Sequence, residues 1–219
     1  MTELSGIPKG FRAVKSLPEA AEAAAVVRAW MDAPEQQSLD VAGLDLTGAD
    51  LSDMDLGDGL FTDAKMPRVK FSRSDLYHAH FEGADLIGAD FTSATLAKAV
   101  LDEAVLDGAR LEGANLGSAS LWGVTAKAAC FKGAKLNGAS FLKVNLTGAD
   151  LSEASAFETS FKVLVDDSTR LDGFRGTLFG PISVLEGEER RELSGPLLES
   201  WFQERGAEVQ ALRPRWTPQ

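Results

Sequence analysis

Residues 81–96 read FEGADLIGADFTSATL, and a large apolar residue returns in this stretch at every fifth position. The spacing continues without interruption from Val41 to Phe161, a series of 25 positions of which 14 are Leu and 7 are Phe. Ala usually stands two residues before each of these positions, and Gly often stands two residues after it. A period of five fits neither an α-helix, at 3.6 residues per turn, nor a β-strand, at 2.

The spacing is explained if each group of five residues forms one side of a square coil, so that 20 residues complete one turn. Residues twenty apart then stack in columns, with coils about 4.8 Å apart. Phe falls on only two of the four columns, and these two face each other across the interior. They contain Val41, Phe61, Phe81, Leu101, Leu121, Phe141 and Phe161 on one side, and Leu51, Phe71, Phe91, Leu111, Phe131 and Leu151 on the other. We therefore predict an all-β solenoid.

Several segments carry a family resemblance. GADLSDMDLG (48–57), FEGADLIGADF (81–91), LEGANLGSASL (111–121) and LTGADLSEAS (146–155) resemble the A(D/N)LxX consensus of the pentapeptide repeat proteins. The resemblance implies a right-handed quadrilateral β-helix. It also implies two further properties found in some members: binding of DNA gyrase through an acidic, rod-like coil that protects the enzyme from quinolones, and pairing through C-terminal elements.

The ends of the coil need covers, because each would otherwise expose apolar core and unpaired backbone. We expect an N-terminal segment (1–38) with a capping helix over 16–31 that begins at a Ser16-x-x-Glu19 capping box. The repeat coil is expected over 39–173, and a C-terminal strand and helix appendage over 174–219. In the appendage, four side chains either cover the last coil or form a homodimer contact: Leu197, Leu198, Trp201 and Phe202.

The sequence offers little for catalysis. His78 and His80 should both point outward, far along the chain from Cys130, so a metal site is not expected. A regular coil interior leaves no cleft for a substrate, and no phosphate-binding loop or dinucleotide fingerprint is present. We predict a protein that is not an enzyme, with no catalytic residue, cofactor or metal. A single cysteine and the lack of a signal peptide or membrane span favour a cytoplasmic location.

Function is therefore expected on the outer surface, where charge is unevenly distributed. The net charge is −11, with −7 in residues 41–110 and +1 in residues 111–165. Folding the sequence onto four faces places seven acids on two adjacent faces, against Lys98 alone. These acids are Asp55, Asp58, Asp63, Asp75, Glu82, Asp102 and Glu103, and we call them the acidic edge. Such a field favours a protein partner with a basic surface and disfavours direct binding to nucleic acid or to an anionic membrane.

Two functions follow as hypotheses. A rigid acidic rod has a charge density comparable to that of duplex DNA, which carries one charge about every 1.7 Å. The first hypothesis is thus a DNA mimic that binds a type II topoisomerase, DNA gyrase, and protects it against or modulates its inhibitors. The second is a scaffold or adaptor unrelated to topoisomerases, whose partner docks on Trp122 and Leu142, predicted to face outward on successive coils. The acidity itself is also a by-product of the Asp in the repeat consensus.

Overall fold

A computed structural model describes residues 14–33 and 37–212. Its central part is a coil in which the residue before each core position pairs in parallel with the residue twenty positions later. The pairs Lys65↔Asp85, Asp90↔Arg110 and Val100↔Ser120 are examples. Each rung is closed by backbone hydrogen bonds, as where the Phe81 N–H donates to the Val100 carbonyl at 2.7 Å. The coil therefore has the predicted twenty-residue turn and four sides.

The core consists of the residues that the five-residue period predicts. All 25 of these positions are buried, and the Ala residues that precede them are buried as well. Phe61 and Phe81 stack with ring centroids 4.7 Å apart, and Phe71 and Phe91 stack at 5.1 Å. The two stacks meet edge to face across the interior, at 5.7 Å between Phe61 and Phe71. The predicted Phe columns thus fill the coil from opposite walls.

The corners of the coil require left-handed backbone. The second residue after the core position has positive φ in almost every pentad, as at Gly48 (81°) and Gly83 (68°). Glycine adopts this conformation without steric cost, whereas other L-residues do so less readily. Fourteen described residues other than glycine nevertheless occupy it, including Asp63 (55°) and Glu103 (62°). At many corners a side chain also fixes the turn, as where the Thr47 N–H donates to Asp45 Oδ1 at 2.9 Å.

At the N-terminal end, the predicted helix start is wrong. Helix α1 covers Ala21–Met31, and its N-cap residue, Ala20, makes no side-chain cap. Ser16 instead pairs antiparallel with Asp50 along the first coil, and the Glu19 N–H donates to the Thr47 carbonyl at 2.9 Å. The exposed rim of the first coil offers unpaired backbone groups, and satisfying them outweighs a capping box. From α1, Val27 enters the buried core. Residues 1–13 and 34–36 of the predicted N-terminal segment lie outside the described residues.

At the C-terminal end, longer strands replace single-residue rungs. They are β1 (Ser140–Asn145), β2 (Ser155–Asp166), β3 (Arg175–Phe179), β4 (Ile182–Glu186), β5 (Glu189–Leu193) and β6 (Glu208–Ala211), with helix α2 (Pro196–Gln203) before β6. The sheet order is β5-β4-β2-β3-β6, and β1 also pairs with β2. All pairs are parallel except the β4–β5 hairpin. Parallel stacking therefore continues beyond residue 173 through β3 and β6. Neither helix of the described part has the length and apolar content that crossing a membrane requires.

Candidate functional site

The acidic edge occupies one side of the coil and the two corners that follow it along the chain. Asp55 and Asp75 lie on that side, where they are direct parallel partners on successive coils. Asp58 lies at the next corner, which His78 and Lys98 occupy in the following coils. The corner after that carries the remaining four acids of the set: Asp63, Glu82, Asp102 and Glu103. We call this last corner, formed by residues 62–63, 82–83, 102–103, 122–123 and 142–143 and by residue 162, the binding corner.

The carboxylates of the acidic edge are not neutralised by strong cations. Within the described residues, none of the seven forms an ion pair with a lysine or an arginine. Asp58 contacts His78 Nδ1 at 2.7 Å, and Glu82 contacts His80 Nδ1 at 2.9 Å. The nearby Lys98 donates to the Tyr77 hydroxyl at 2.8 Å and lies 5.2 Å from the centre of that ring. The edge therefore presents carboxylates that are not paired with any described lysine or arginine.

Glu82 has further support for its ionised form. Its partial burial opposes ionisation, but hydrogen bonds from His80, from its own backbone N–H and from the Thr62 hydroxyl lower its pKa. The Thr62 hydroxyl donates to Glu82 Oε2 at 3.1 Å. A carboxylate that accepts several hydrogen bonds stays charged at neutral pH.

Four of the seven acids on the other two faces have lysine or arginine partners. Asp45 pairs with Lys65 at 2.9 Å, and the hydrogen bond from that lysine is the main cause that lowers the pKa of Asp45 to about 2. Arg73 contacts Asp53 through two nitrogens, at 2.7 and 2.6 Å, and lowers the pKa of that carboxyl strongly. The acidic edge therefore differs from the other two faces in the ion pairing of its acids as well as in the number of basic residues.

The second predicted site lies on the same corner. Trp122 is 38% exposed and Leu142 is half-buried. The Trp122 N–H donates to Asp102 Oδ1 at 2.8 Å, and the Ser120 hydroxyl donates to the same atom at 2.7 Å. Lys143 Nζ lies 4.9 Å from the centre of the Trp122 ring. The binding corner thus changes along the rod from acidic to aromatic to basic, and the two sites that the sequence suggested separately are neighbours.

The C-terminal side chains divide into buried and exposed ones. Leu198, Trp201 and Phe202 are buried within the chain, and the Phe202 ring stacks on Phe174 at 5.5 Å. Leu197 is 68% exposed. Three of these four residues therefore cover the end of the coil, and Leu197 alone is available to a second molecule.

Reactive groups elsewhere are sparse. Cys130 is partly buried, and this burial raises the pKa of its thiol. The side chains of His78 and His80 face outward and lie 5.5 Å apart, with both Nδ1 atoms bound to carboxylates. Among the residues that the structure describes, no group of three or more His, Cys, Asp or Glu side chains is arranged to hold a metal ion.

One cluster was missed from the sequence. Lys143, Lys162 and Arg190 line a common groove beside the binding corner. The signal in the sequence was the positive net charge of residues 111–165. Arg190 could not be placed, because the charged run EGEERREL gives no sign that it folds back as a hairpin on β2.

Comparison with known proteins agrees with this geometry. A family model described as pentapeptide repeats matches eight copies over residues 45–83, 60–92, 84–123 and 129–162, more than half of the chain. No curated protein matched the chain.

Two solved structures share its fold. One is HetL, a pentapeptide repeat protein involved in heterocyst differentiation regulation from the cyanobacterium Nostoc sp. strain PCC 7120. It has a TM-score of 0.51 and 22% identity, over 80% of this chain and 83% of HetL. The other is QnrB1, a plasmid-mediated fluoroquinolone resistance protein. It has a TM-score of 0.55 and 16% identity, over 78% of this chain and 93% of QnrB1. These relationships imply a right-handed β-helix.

Proposed function

Because this chain belongs to the pentapeptide repeat family, we propose that it is a non-enzymatic protein-binding rod whose acidic edge binds a basic protein surface. The specific partner in this proposal is DNA gyrase. The rod would occupy the surface on which the enzyme holds DNA, and so protect it against, or modulate, gyrase-directed inhibitors. Direct binding to nucleic acid or to a membrane has no part in the proposal, and the single cysteine favours a cytoplasmic location.

The observation that carries the proposal is that, among the described residues, no lysine or arginine pairs with a carboxylate of the acidic edge, which contacts only His78 and His80 in this way. Seven carboxylates and one lysine leave a net of six negative charges over three coils. Over the roughly 14 Å that these coils span, duplex DNA presents about eight. Of the seven acids on the other two faces, four are bound to lysine or arginine, whereas within the described part of the chain none of the seven acids of the edge is.

The fold does not by itself select the partner. QnrB1 is a fluoroquinolone resistance protein, which supports a gyrase-directed role, whereas HetL is involved in the regulation of differentiation. Both likenesses are below 25% identity, so the choice between partners depends on the surface of this chain.

A gyrase supercoiling assay with added protein, with and without a quinolone, tests the proposal. We choose the charge reversals Asp63→Lys, Glu82→Lys and Glu103→Lys in one variant. Asp102 is left intact because its carboxylate holds the Trp122 and Ser120 corner. The variant is expected to lose both binding to gyrase and any effect on supercoiling.

The matched control carries the same change in charge at exposed acids away from the edge, namely Glu153→Lys, Glu158→Lys and Glu188→Lys. It is expected to behave like the wild type. Two outcomes contradict the proposal: a wild-type protein that neither binds gyrase nor alters its activity, or two triple variants that lose activity equally.

The alternative function is a scaffold or adaptor whose partner docks on Trp122 and Leu142. It is favoured by the exposure of the Trp122 ring on a convex corner, since exposed tryptophans are common interaction hot spots. Trp122→Ala removes this ring without touching the hydrogen bond from the Trp122 backbone to Asp102. Loss of a cross-linked partner in this variant, with retention in the acidic-edge variant, would select the adaptor role.

A homodimer through the C-terminal segment is a separate part of the proposal. It would use the exposed Leu197 and the outer edge of β6, which among the described strands pairs with β3 alone. Leu197→Asp is then expected to convert a dimer into a monomer in light scattering. A molar mass that Leu197→Asp leaves unchanged would exclude this interface.

A further inference from the structure

A groove with a cavity volume of about 460 Å³ lies between the end of the binding corner and the β4–β5 hairpin. One wall is formed by β1 and β2, which bring Lys143 and Lys162 onto successive coils, since Leu142 is the parallel partner of Lys162. The opposite wall is the hairpin, which contributes Arg190. Three cationic side chains therefore approach one space from two sides.

These cations lack the carboxylate partners that several basic residues of the first coils have. Lys65, Lys70 and Arg73 each bind a carboxylate of a neighbouring coil. In the described part of the chain, none of the three cations of the groove forms an ion pair. The groove therefore gathers three cations without a carboxylate partner among the described residues, in a protein of net charge −11. One acid, Glu192, also lines the groove, so its formal charge is +2.

The neutral groups of the groove are oriented to donate hydrogen bonds. The Ser183 hydroxyl is buried and accepts a bond from Arg190 at 2.9 Å, which leaves its own O–H free to donate. Asn145 accepts two bonds from Thr147 through Oδ1, at 3.1 and 2.9 Å, which leaves its amide nitrogen as a donor. Donors and cations that converge on one space match the needs of an oxyanion.

The floor of the groove is apolar: Leu164 is partly exposed there, and Val144 and Val163 lie buried beneath the surface of the groove. Its size lies in the range of small-molecule sites, about 300–1,000 Å³. An inorganic ion would leave this floor uncovered. A small organic molecule that carries an oxyanion would satisfy the donors and cover the apolar residues together.

We propose that this groove binds a small organic oxyanion, a phosphate monoester or a carboxylate, held by Lys143, Lys162 and Arg190 with the Ser183 hydroxyl as an additional donor. The site does not depend on the protein partner proposed for the acidic edge, because its ligand binds about two coils away from Glu103. Phosphate is the better match to two lysines and one arginine, because it offers more acceptor oxygens and a second negative charge.

Isothermal titration calorimetry with phenyl phosphate, benzoate and inorganic phosphate tests the site. Phenyl phosphate is expected to bind more tightly than inorganic phosphate, because the ring covers the apolar floor. Lys162→Gln and Arg190→Gln should each weaken phenyl phosphate binding by at least about fivefold, since each removes a charge-assisted hydrogen bond. Glu192→Gln should strengthen it, because it removes the one acid of the groove.

The control is Lys127→Gln, an exposed lysine that lies outside the groove and should leave the affinity unchanged. Circular dichroism and the melting temperature establish that each variant is folded. Preference for phenyl phosphate over benzoate assigns the group as phosphate, and the reverse preference assigns it as carboxylate. Three results would overturn the proposal: no binding of either ring compound at millimolar concentration, groove variants with wild-type affinity, or an equal loss in Lys127→Gln.

Discussion

The aromatic core predicts a graded loss of stability along the rod. Phe81 is fully buried and contacts three other rings: it stacks on Phe61 at 4.7 Å and meets Phe71 and Phe91 edge to face at 5.8 and 5.9 Å. Phe131 is equally buried but has one such contact among the described residues, with Phe141 at 6.1 Å. The two positions therefore differ in ring contacts and not in burial.

Substitution by Leu at each position isolates this difference. Phe81→Leu and Phe131→Leu remove the same volume from the same kind of site. The losses of unfolding free energy that arise from reduced apolar burial and from the cavity should therefore largely cancel when the two variants are compared. Each aromatic pair contributes about 0.5–1.5 kcal/mol beyond its buried area. Two additional pairs then make Phe81→Leu about 1–3 kcal/mol more destabilising than Phe131→Leu. Phe141→Leu, which loses contacts with Phe131 and Phe161, should fall between them.

Equilibrium unfolding in guanidinium chloride, followed by circular dichroism, measures these differences. Stacked repeats can unfold in parts, so the denaturant slope must be the same in all variants before free energies are compared. Unfolding and refolding curves must also coincide. Equal costs at Phe81 and Phe131, or a larger cost at Phe131, would refute the reasoning and show that the rings act only through their buried area.

Three further outcomes follow. A Cβ on Gly176 would overlap the backbone of the preceding coil, whereas one on Gly117 meets the Asn115 side chain at 3.2 Å and backbone no closer than 3.8 Å. Gly176→Ala should therefore cost about 1–3 kcal/mol in thermal unfolding, and Gly117→Ala much less. Contact with Lys65 lowers the pKa of Asp45 to about 2. The contribution of Asp45 to stability is therefore complete above the ordinary pKa of 3.8 and is lost as the pH falls towards 2. Asp45→Asn should flatten the dependence of melting temperature on pH in that interval, and an unchanged slope would contradict this. Burial raises the pKa of Cys130, so iodoacetamide should modify it more slowly than free cysteine at neutral pH, as mass spectrometry can measure.

The repeat coil was predictable because one spacing sets both the core and the corners. A residue at each fifth position must point inward once the coil forms, so the period alone predicts the columns and the Phe walls. The two ends follow no period, and their contacts depend on what the coil exposes. Ser16 resembles a helix cap in the sequence, but in the structure it pairs with the rim of the coil at Asp50.

The candidate surfaces were predictable only in part. The acids of the edge follow from register, because residues twenty apart stack. Their lack of lysine and arginine partners depends on side-chain directions that register does not specify. The groove was out of reach for a different reason, because Arg190 reaches it only through the antiparallel pairing of β5 with β4.

The twenty-residue turn also limits how such a chain can change in length during evolution. Gain or loss of a whole coil leaves every later residue on its original side of the rod, so the chain can lengthen by duplication without rearranging its surface. Gain or loss of a single pentad preserves the buried period but rotates everything after it by a quarter turn. Such an event between Glu103 and Trp122 would separate the acidic and aromatic parts of the binding corner, although the core would remain intact. The surface pattern is thus preserved only by the gain or loss of whole coils, each four times as long as the pentad that is sufficient to preserve the core.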